Sequence, residues 1–157
     1  MEDIISQVKT ILEGNVSPEL KRPFFDGDPI IVSKSHMPTI AVVLSRTSID
    51  TGPTGYDKYI YTLIIKIIVN KEEDFNKEPA QVVAHKTLRN FAEGIKSGII
   101  DEQSVIGVLR KNLTLNGSIL NQVITIDYNT VNREDIITEE AWITLTILKN
   151  VEVSGRS

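Results

Sequence analysis

Apolar residues along this chain recur with two different periods, and the periods separate predicted helices from predicted strands. The start, Met1–Gly14, places apolar residues at three- and four-residue steps and ends in a glycine. A longer stretch with the same spacing runs from Ala80 to Ile95, and a shorter one lies within Asp101–Lys111, where Gly107 weakens it. Because this spacing puts apolar side chains on one side of a helix, the pattern predicts three helices.

Four shorter stretches are either alternating or β-branched and apolar, which is typical of strands. They are Thr39–Ser45, Tyr59–Asn70, Leu120–Tyr128 and Ala141–Ile147. The second stretch is apolar on both faces. We therefore expect it to be central and covered on both sides, or covered on one side by another subunit.

The order of these elements, α-β-β-α-α-β-β, predicts the fold class α+β. Consecutive strand pairs on either side of a helical excursion favour a single four-stranded sheet, mainly antiparallel or mixed, with the helices packed on one face. With 157 residues and 41% hydrophobic content, the chain is long enough for one core and short for two, so we expect a single domain over 1–157. The polar, glycine-containing end, 151–157, is predicted to be a flexible tail.

Two connections between strands are predicted to be exposed. The first, 46–58, contains Thr51-Gly52-Pro53-Thr54-Gly55, which is too long for a tight hairpin and too rich in turn residues to continue a strand. It is predicted to be a protruding, mobile loop, and its glycines lack the Gly-Lys-Ser/Thr ending of a phosphate-binding loop. A long connection in a compact domain is commonly functional. The second, 129–140, is polar and predicted to be solvated.

Composition and charge exclude several classes of protein. The formal net charge is -4, opposite to the basic balance with which proteins bind DNA over their whole surface. The chain has no cysteine, which rules out disulfides, thiolate zinc sites and cysteine nucleophiles. Its acidic, periodic start is unlike a signal peptide, and its most apolar stretch, 59–69, is shorter than the roughly 20 residues of a membrane-spanning helix. We expect neither secretion nor a membrane segment.

The candidate catalytic and ligand-binding residues lack the partners that their chemistry requires. His36 and His85 are the only histidines, and neither stands in a motif with a nucleophile or a carboxylate pair. Asp26-Gly27-Asp28 lacks the later ligands of a calcium loop and is predicted to be a plain turn. The carboxylates of 72–74 and of Glu139-Glu140 lie in polar connections and are predicted to be solvated. We therefore predict no catalytic, cofactor or metal site, and no enzyme.

The order of elements resembles that of tail terminator proteins from tailed bacteriophages, nearly end to end. Four segments carry the resemblance: the amphipathic start Met1–Gly14, the strand, loop and strand from Pro38 to Val69, the helix from Pro79, and the closing strand Trp142–Ile147. The resemblance implies a structural virion protein that forms a ring of six copies, caps the head-proximal end of the tail tube, stops its polymerisation and presents a surface to the neck.

The same resemblance implies the partners and the location of the protein. The partners would be further copies of the chain, the tail tube protein and head-completion or neck proteins, with genomic DNA passing through the lumen without specific binding. The location would be the tail or neck of the virion, assembled in the host cytoplasm. Its acidic net charge suits a part past which DNA moves.

Within this resemblance, the 46–58 loop is the predicted contact with a neighbouring subunit, a neighbouring ring or the tube. The residues predicted to form it are Arg46, Asp50, Thr51, Gly52, Pro53, Thr54, Gly55, Tyr56, Asp57 and Lys58. Two alternatives lie in the same class, namely another neck protein, such as a head-closure or adaptor protein, and a tail tube subunit. From a different class, the alternative is a small ligand-binding domain or enzyme with a pocket between the sheet and the helices.

Overall fold

The computed structural model describes residues 4–52, 55–70, 80–112, 114–115, 118–120, 124–134 and 136–153. In these ranges the chain forms three helices, α1 (Ile4–Asn15), α2 (Ala80–Ala92) and α3 (Val105–Lys111). It also forms seven strands: β1 (Phe25–Asp26), β2 (Thr39–Thr51), β3 (Tyr56–Asn70), β4 (Thr114–Leu115), β5 (Ser118–Leu120), β6 (Thr125–Arg133) and β7 (Ile136–Glu152). A short 3-10 turn at Lys34–His36 precedes β2.

The described strands belong to one mixed sheet with β3 at its centre. β3 is hydrogen-bonded to β2 on one side and to β7 on the other along nearly its whole length, and both pairings are antiparallel. β1 runs parallel to β2 at one edge, whereas β6 and the shorter β5 pair with β7 on the far side. The central position of β3 agrees with its apolar composition.

The predicted fold class, α+β, is confirmed, but the predicted four-stranded sheet and its order of elements are wrong. The described residues give the order α-β-β-β-α-α-β-β-β-β, and five of the seven strands are three residues or longer. β1 is only two residues long and lies in a proline-rich segment, so it produces no periodic signal. The predicted strand 120–128 is divided, since Leu120 ends β5 and Thr125 begins β6.

The strands also extend beyond their predicted ends. β6 continues to Arg133 and β7 begins at Ile136, so the predicted solvated connection 129–140 is wrong and a tight turn through Glu134 takes its place. At the other end of β7, Val151 and Glu152 are strand residues within the segment that was predicted to be a tail. Polar residues occupy most of these positions, and a local pattern does not reveal that neighbouring strands supply their hydrogen bonds.

The main core lies between the three helices and one face of the sheet, which we call the helix face. The helices contribute fully or nearly buried residues from one side of each: Ile4, Val8 and Leu12 from α1, Leu88, Phe91 and Ala92 from α2, and Val105, Val108 and Leu109 from α3. The sheet contributes alternate residues of its central strands: Leu63, Ile65, Ile67, Ala141, Ile143, Leu145 and Ile147. Side chains at every second strand position and at three- and four-residue helix steps meet there, as the two periods predict.

On the opposite side of the sheet, which we call the outer face, the described residues form a buried cluster at one end. Val32 and Met37 pack there against Ala41 and Ile68, and all four are almost completely buried. Farther along β3, Ile60 and Ile64 on the same face are only half-buried. The outer face of β3 is therefore partly covered by its own chain and partly accessible.

Arg22 holds the irregular segment that follows α1. Its guanidinium group donates hydrogen bonds to the carbonyl oxygens of Glu13, Val16, Ser17 and Leu20, at 2.5 to 3.1 Å. Carbonyl groups at a helix C-terminus have no partner within the helix, and a cation there is favourable. One side chain therefore closes α1 and orders the chain on its way to β1.

Candidate functional site

The three central strands continue beyond the core as a three-stranded ribbon. We define the ribbon by three ranges: 43–52 at the end of β2, 55–62 at the start of β3, and 148–153 at the end of β7. Apart from Gly55, none of these described residues is buried. The strand pairing nevertheless continues to Thr51 opposite Asp57 and to Tyr56 opposite Glu152. The ribbon is therefore hydrogen-bonded strand structure outside the packed core.

Side chains of the ribbon alternate between its two faces, and both faces carry apolar groups. On the helix-face side, Ile49 lies opposite Tyr59, and the rings of Tyr59 and Tyr61 lie 5.8 Å apart. On the outer side, Ile60 lies opposite Leu148. Ile49 is 53% exposed, so an apolar side chain that would be buried in a core faces solvent here. Burial raises the pKa of the Tyr61 hydroxyl, and the nearby Tyr59 raises it further by a smaller effect.

The end of the ribbon is tightly closed. The amide of Gly52 donates to Oδ1 of Asp57 at 3.4 Å, and the amide of Val153 donates to the carbonyl oxygen of Gly55 at 2.7 Å. A Cβ atom at Gly52 would overlap with the carbonyl oxygen of Tyr56, and Gly55 has a φ of 83°. Glycine is the residue that satisfies both requirements, so the two glycines of the sequence motif have a structural role.

Eight of the ten predicted contact residues belong to the ribbon, and the prediction of a mobile loop over 46–58 is wrong, because 46–51 and 56–58 are strand residues. Arg46, Asp50 and Thr51 lie in β2, and Tyr56, Asp57 and Lys58 lie in β3. Asp50 lies directly opposite Lys58, and Arg46 is on the same face of the ribbon. Gly52 and Gly55 flank the turn, and Pro53 and Thr54 lie outside the described residues. The structure therefore places the predicted contact on paired strands.

A second group of polar residues lies on the outer face, where four charged side chains form what we call the ion cluster: Asp28, Lys66, Arg133 and Glu140. Arg133 binds both carboxylate oxygens of Glu140, at 2.6 and 2.8 Å, and Oδ1 of Asp28 at 3.0 Å. Lys66 binds Oδ2 of Asp28 at 3.0 Å. The two positive and two negative groups balance.

Further contacts complete the ion cluster. Thr138 Oγ1 and Trp142 Nε1 donate to the carboxylate of Glu140 at 2.5 and 2.9 Å, and the Lys66 ammonium lies 4.0 Å from the centre of the Trp142 ring. Arg133 also donates to the carbonyl oxygen of Pro29. Glu140 is completely buried, so the prediction that Glu139-Glu140 is solvated is wrong.

The charges of the cluster shift the pKa values of Asp28 and Arg133. Burial would raise the pKa of Asp28, but hydrogen bonds from Lys66 and Arg133 lower it below its ordinary value. Burial would lower the pKa of Arg133, but the bonds and charges of Glu140 and Asp28 raise it. Because these groups stabilise one another's charged forms, the cluster is suited to holding the segment around Asp28 against the sheet.

Sequence reasoning missed the ion cluster because its members are far apart along the chain. Asp28 and Arg133 are separated by 105 positions. The available signal was the position of Lys66 inside an otherwise apolar strand, since a buried lysine needs a nearby carboxylate. That signal does not say which carboxylate.

The two histidines lie on opposite faces of the sheet and pack against aromatic rings. Nε2 of His36 donates a hydrogen bond to the carbonyl oxygen of Pro23 at 3.0 Å, and the His36 ring is 5.3 Å from that of Phe25. The oxygen of a carbonyl accepts, so the tautomer with a proton on Nε2 fits this contact. His85 on α2 stacks edge-on against Tyr128, with ring centres 4.9 Å apart. Neither contact brings a histidine to a nucleophile.

A shallow apolar depression of about 210 Å³ lies on the helix side, between the end of α2, α3 and the start of β6. Isoleucines make up most of its lining: Ile95, Ile100, Ile106, Ile124 and Ile126. Glu93 and Arg110 complete it. Burial raises the pKa of the nearby Tyr128 hydroxyl, Glu93 raises it further, and Arg89 lowers it. The depression is open and apolar, which suits a contact with another apolar side chain.

Within the described ranges, no group of three or more His, Asp and Glu side chains is arranged to hold a metal ion. No helix in the described part of the chain is long and apolar enough to cross a membrane.

No protein-family model matches the chain, and no curated protein sequence matches it. The resemblance to tail terminators stays a prediction.

Proposed function

We propose that this chain is a tail terminator of a tailed bacteriophage. In this role, copies of the chain form a ring on the tail tube, stop tube polymerisation and join the tail to the head or neck. The four segments that carry the resemblance correspond to α1, the β2–β3 hairpin, α2 and β7. The proposed role is structural: it consists of assembly and involves no catalysed reaction.

The observation that supports the proposal most is the ribbon. Most strands in globular proteins are 3 to 10 residues long, whereas β2, β3 and β7 have 13, 15 and 17 residues. Tyr61 packs at the edge of the core, but apart from Gly55 no described residue of the ribbon is buried, so folding of the core does not explain the additional length. A feature that requires long strands without contributing to the core is typical of a contact with a neighbouring molecule.

The surface of the ribbon suits a protein partner. Exposed Ile49 and Tyr56 and half-buried Tyr59 provide apolar and aromatic groups, which are enriched at the centres of protein interfaces. The opposed charges of Asp50 and Lys58 can fix the register of a partner. Since three strands are paired, the ribbon presents these groups with less loss of conformational entropy than a loop would.

A shortened ribbon tests the proposal. In this variant, Asp50–Lys58 is replaced by Asn-Gly, which joins Ile49 to its partner Tyr59 through a two-residue hairpin turn. We expect phage particles that carry the shortened gene to have overlong tubes or tails without heads, as seen by negative-stain electron microscopy.

The control variant is Lys111→Met in α3, which changes an exposed side chain outside the ribbon. We expect tails of normal length with heads attached from this control. The same normal tails from the shortened-ribbon variant would contradict the proposed role of the ribbon. A purified wild-type chain that neither binds tube ends nor limits their growth would contradict the terminator function itself.

A further inference from the structure

One edge of the ribbon carries backbone groups that no described strand uses. β1 pairs with β2 at Ala41 and Val42, and from Val43 to Thr51 the described partner of β2 is β3, on one side alone. We call the other side of β2 over this stretch the open edge. A strand edge with unpaired N–H and C=O groups is a template for pairing with another strand.

The backbone groups of Thr47 and Ile49 point to the open edge. The carbonyl oxygen of Val42 accepts a hydrogen bond from the amide of Gly27, so Val42 faces this side of β2. Successive residues of a strand direct their backbone groups to opposite edges. A register shift just before Arg46 adds one residue to β2 and moves this alternation by one position. After the shift, odd-numbered residues therefore face the open edge.

The open edge carries two charged side chains of opposite sign. Arg46 and Asp50 lie on the outer side of the ribbon, and Ser48 lies midway between them on the same side. Neither charge forms an ion pair with another residue that the structure describes. Both are therefore available to a partner strand.

The other charged residues of the ribbon leave this pattern intact. Lys58 lies opposite Asp50 on β3, as a further positive neighbour of that carboxylate. Asp57 lies on the helix-face side of the ribbon, and Lys149 and Glu152 lie on β7, with β3 between them and β2. The charge pattern at the open edge is therefore set by the two charged residues of β2.

This pattern is self-complementary in one antiparallel register. Two identical antiparallel strands pair symmetrically about one position. A register centred on Ser48 places Arg46 of each copy opposite Asp50 of the other, and opposite charges that face each other across strands are stabilising. Registers centred on either charged residue place like charges opposite each other, which is destabilising.

The register centred on Ser48 also uses the open backbone groups. It places Thr47 of one copy opposite Ile49 of the other, so the amides and carbonyls that face the open edge bond to each other. Ile49, which is 53% exposed, gains a cross-strand neighbour on the helix-face side. The paired stretch ends before Val42, whose carbonyl oxygen is already bonded to Gly27.

We propose that β2 of one copy pairs antiparallel with β2 of a second copy, centred on Ser48, and joins the two ribbons into one continuous sheet. The contact is isologous, so it closes with two copies and does not build the ring. It therefore goes beyond the proposed function. In the free chain, it covers an edge that would otherwise pair with strands indiscriminately.

Disulfide cross-linking tests the register, because the chain has no cysteine of its own. In a purified Ser48→Cys variant, the two thiols lie opposite each other on strands whose Cα atoms are about 4.5 Å apart, within the range of a disulfide. The matched control is Ser45→Cys, the same substitution at a more exposed position of β2. In the proposed register, the two copies of residue 45 are about 20 Å apart.

After mild oxidation, we expect about tenfold more disulfide dimer from Ser48→Cys than from Ser45→Cys, since a specific contact raises the effective concentration of the thiols. Equal amounts from the two variants would overturn the contact. A Ser48→Cys chain that cross-links to added tube protein, with no self-dimer above the control, would also overturn it and assign the open edge to the tube.

Charge reversal tests the pairing of Arg46 with Asp50. Arg46→Asp and Asp50→Lys each place like charges opposite each other, so we expect the dimer dissociation constant of each variant to be at least about tenfold above that of the wild type. A one-to-one mixture restores opposite charges in every pair, and we expect it to dimerise like the wild type. Light scattering over a concentration series measures each constant.

Two results of the charge reversal would overturn the proposal. One is a monomeric wild type, and the other is a mixture that dimerises no better than the separate variants. Circular dichroism of each variant establishes that it is folded, and Ser48→Cys tests the contact without any change of charge.

The proposed pair and the proposed function can fail separately, because the dimer is measured on the purified chain without tail tubes. A monomeric chain that still caps tubes overturns the pair and leaves the terminator function standing. A chain that forms the Ser48→Cys dimer but does not cap tubes leaves the pair standing and overturns the function.

Discussion

At the scale of single residues, Arg133 is the side chain whose loss is expected to be most damaging. Glu140 is completely buried and accepts two of its hydrogen bonds from Arg133. Arg133→Met therefore leaves a buried carboxylate without its main positive partner, which costs about 3 to 5 kcal/mol of unfolding free energy. Urea denaturation of the wild type and of Arg133→Met measures this difference in unfolding free energy.

The matched control for this prediction is Lys111→Met. Lys111 pairs with Glu102 at 3.1 Å, and both side chains are more than half exposed. Exposed pairs contribute little, so the expected change is below about 1 kcal/mol. Equal effects of the two substitutions would contradict the structural role of the ion cluster.

Asp28 gives the cluster a dependence on pH. Its pKa is lowered in the folded chain, since hydrogen bonds from Lys66 and Arg133 outweigh the effect of burial. The stability that its charge contributes is therefore present above the pKa of an unfolded aspartate, about 3.9, and is lost as the pH falls through the lower folded pKa. We expect the stability difference between wild type and Asp28→Asn to shrink as the pH is lowered below about 4. A difference that stays constant across this range would contradict the assignment.

At the scale of elements, the strongest periodic patterns predicted the structure best. The positions of α1, α2 and the core part of β3 follow from apolar residues whose spacing matches one buried face. The ribbon could not be predicted in this way. Residues 46–51 contain one large apolar side chain, Ile49, and their strand conformation depends on cross-strand pairing with β3. The predicted contact stays a prediction, but the loop conformation that was predicted for it is wrong.

At Gly107, helix propensity and packing favour different residues. Its place in α3 predicts that alanine would favour the helix, but an added Cβ would overlap with the carbonyl oxygen of Asp101. That carbonyl oxygen accepts a hydrogen bond from the Ser104 hydroxyl. The Ser104 oxygen in turn accepts a hydrogen bond from the Gly107 amide at 3.0 Å, which caps α3. Gly107→Ala is therefore expected to destabilise the chain by about 1 to 3 kcal/mol, as overpacking does.

Gly14 provides the comparison within α1. A Cβ atom there meets nothing within 4 Å, so Gly14→Ala is expected to stabilise the chain by about 0.4 to 1 kcal/mol. Thermal unfolding of the two alanine variants tests whether their stability changes have opposite signs. A stabilising Gly107→Ala would contradict the close approach of the Asp101 turn to α3.

At the scale of the whole molecule, the core and the ribbon occupy different parts of the sheet. The buried residues of β3 and β7 on the helix face lie at Leu63–Val69 and Ala141–Ile147, whereas the ribbon begins beyond them. Folding and the proposed assembly are therefore expected to be separable. Burial imposes periodicity, so a sequence pattern indicates the buried part of the strands strongly and the ribbon, which has almost no buried residues, weakly.

This separation leads to a prediction for the shortened ribbon, in which Asn-Gly replaces Asp50–Lys58. Gly55 is the buried residue among the described positions that the change removes, and no side chain of the main core is lost. Because apolar burial is the dominant favourable term in folding, we expect the midpoint of urea unfolding to stay close to that of the wild type. A shortened chain that is folded and equally stable, yet unable to limit tube growth, would assign the length of the strands to assembly. A large loss of stability would instead make the ribbon part of the folding unit, and its effect on tails would then follow from unfolding.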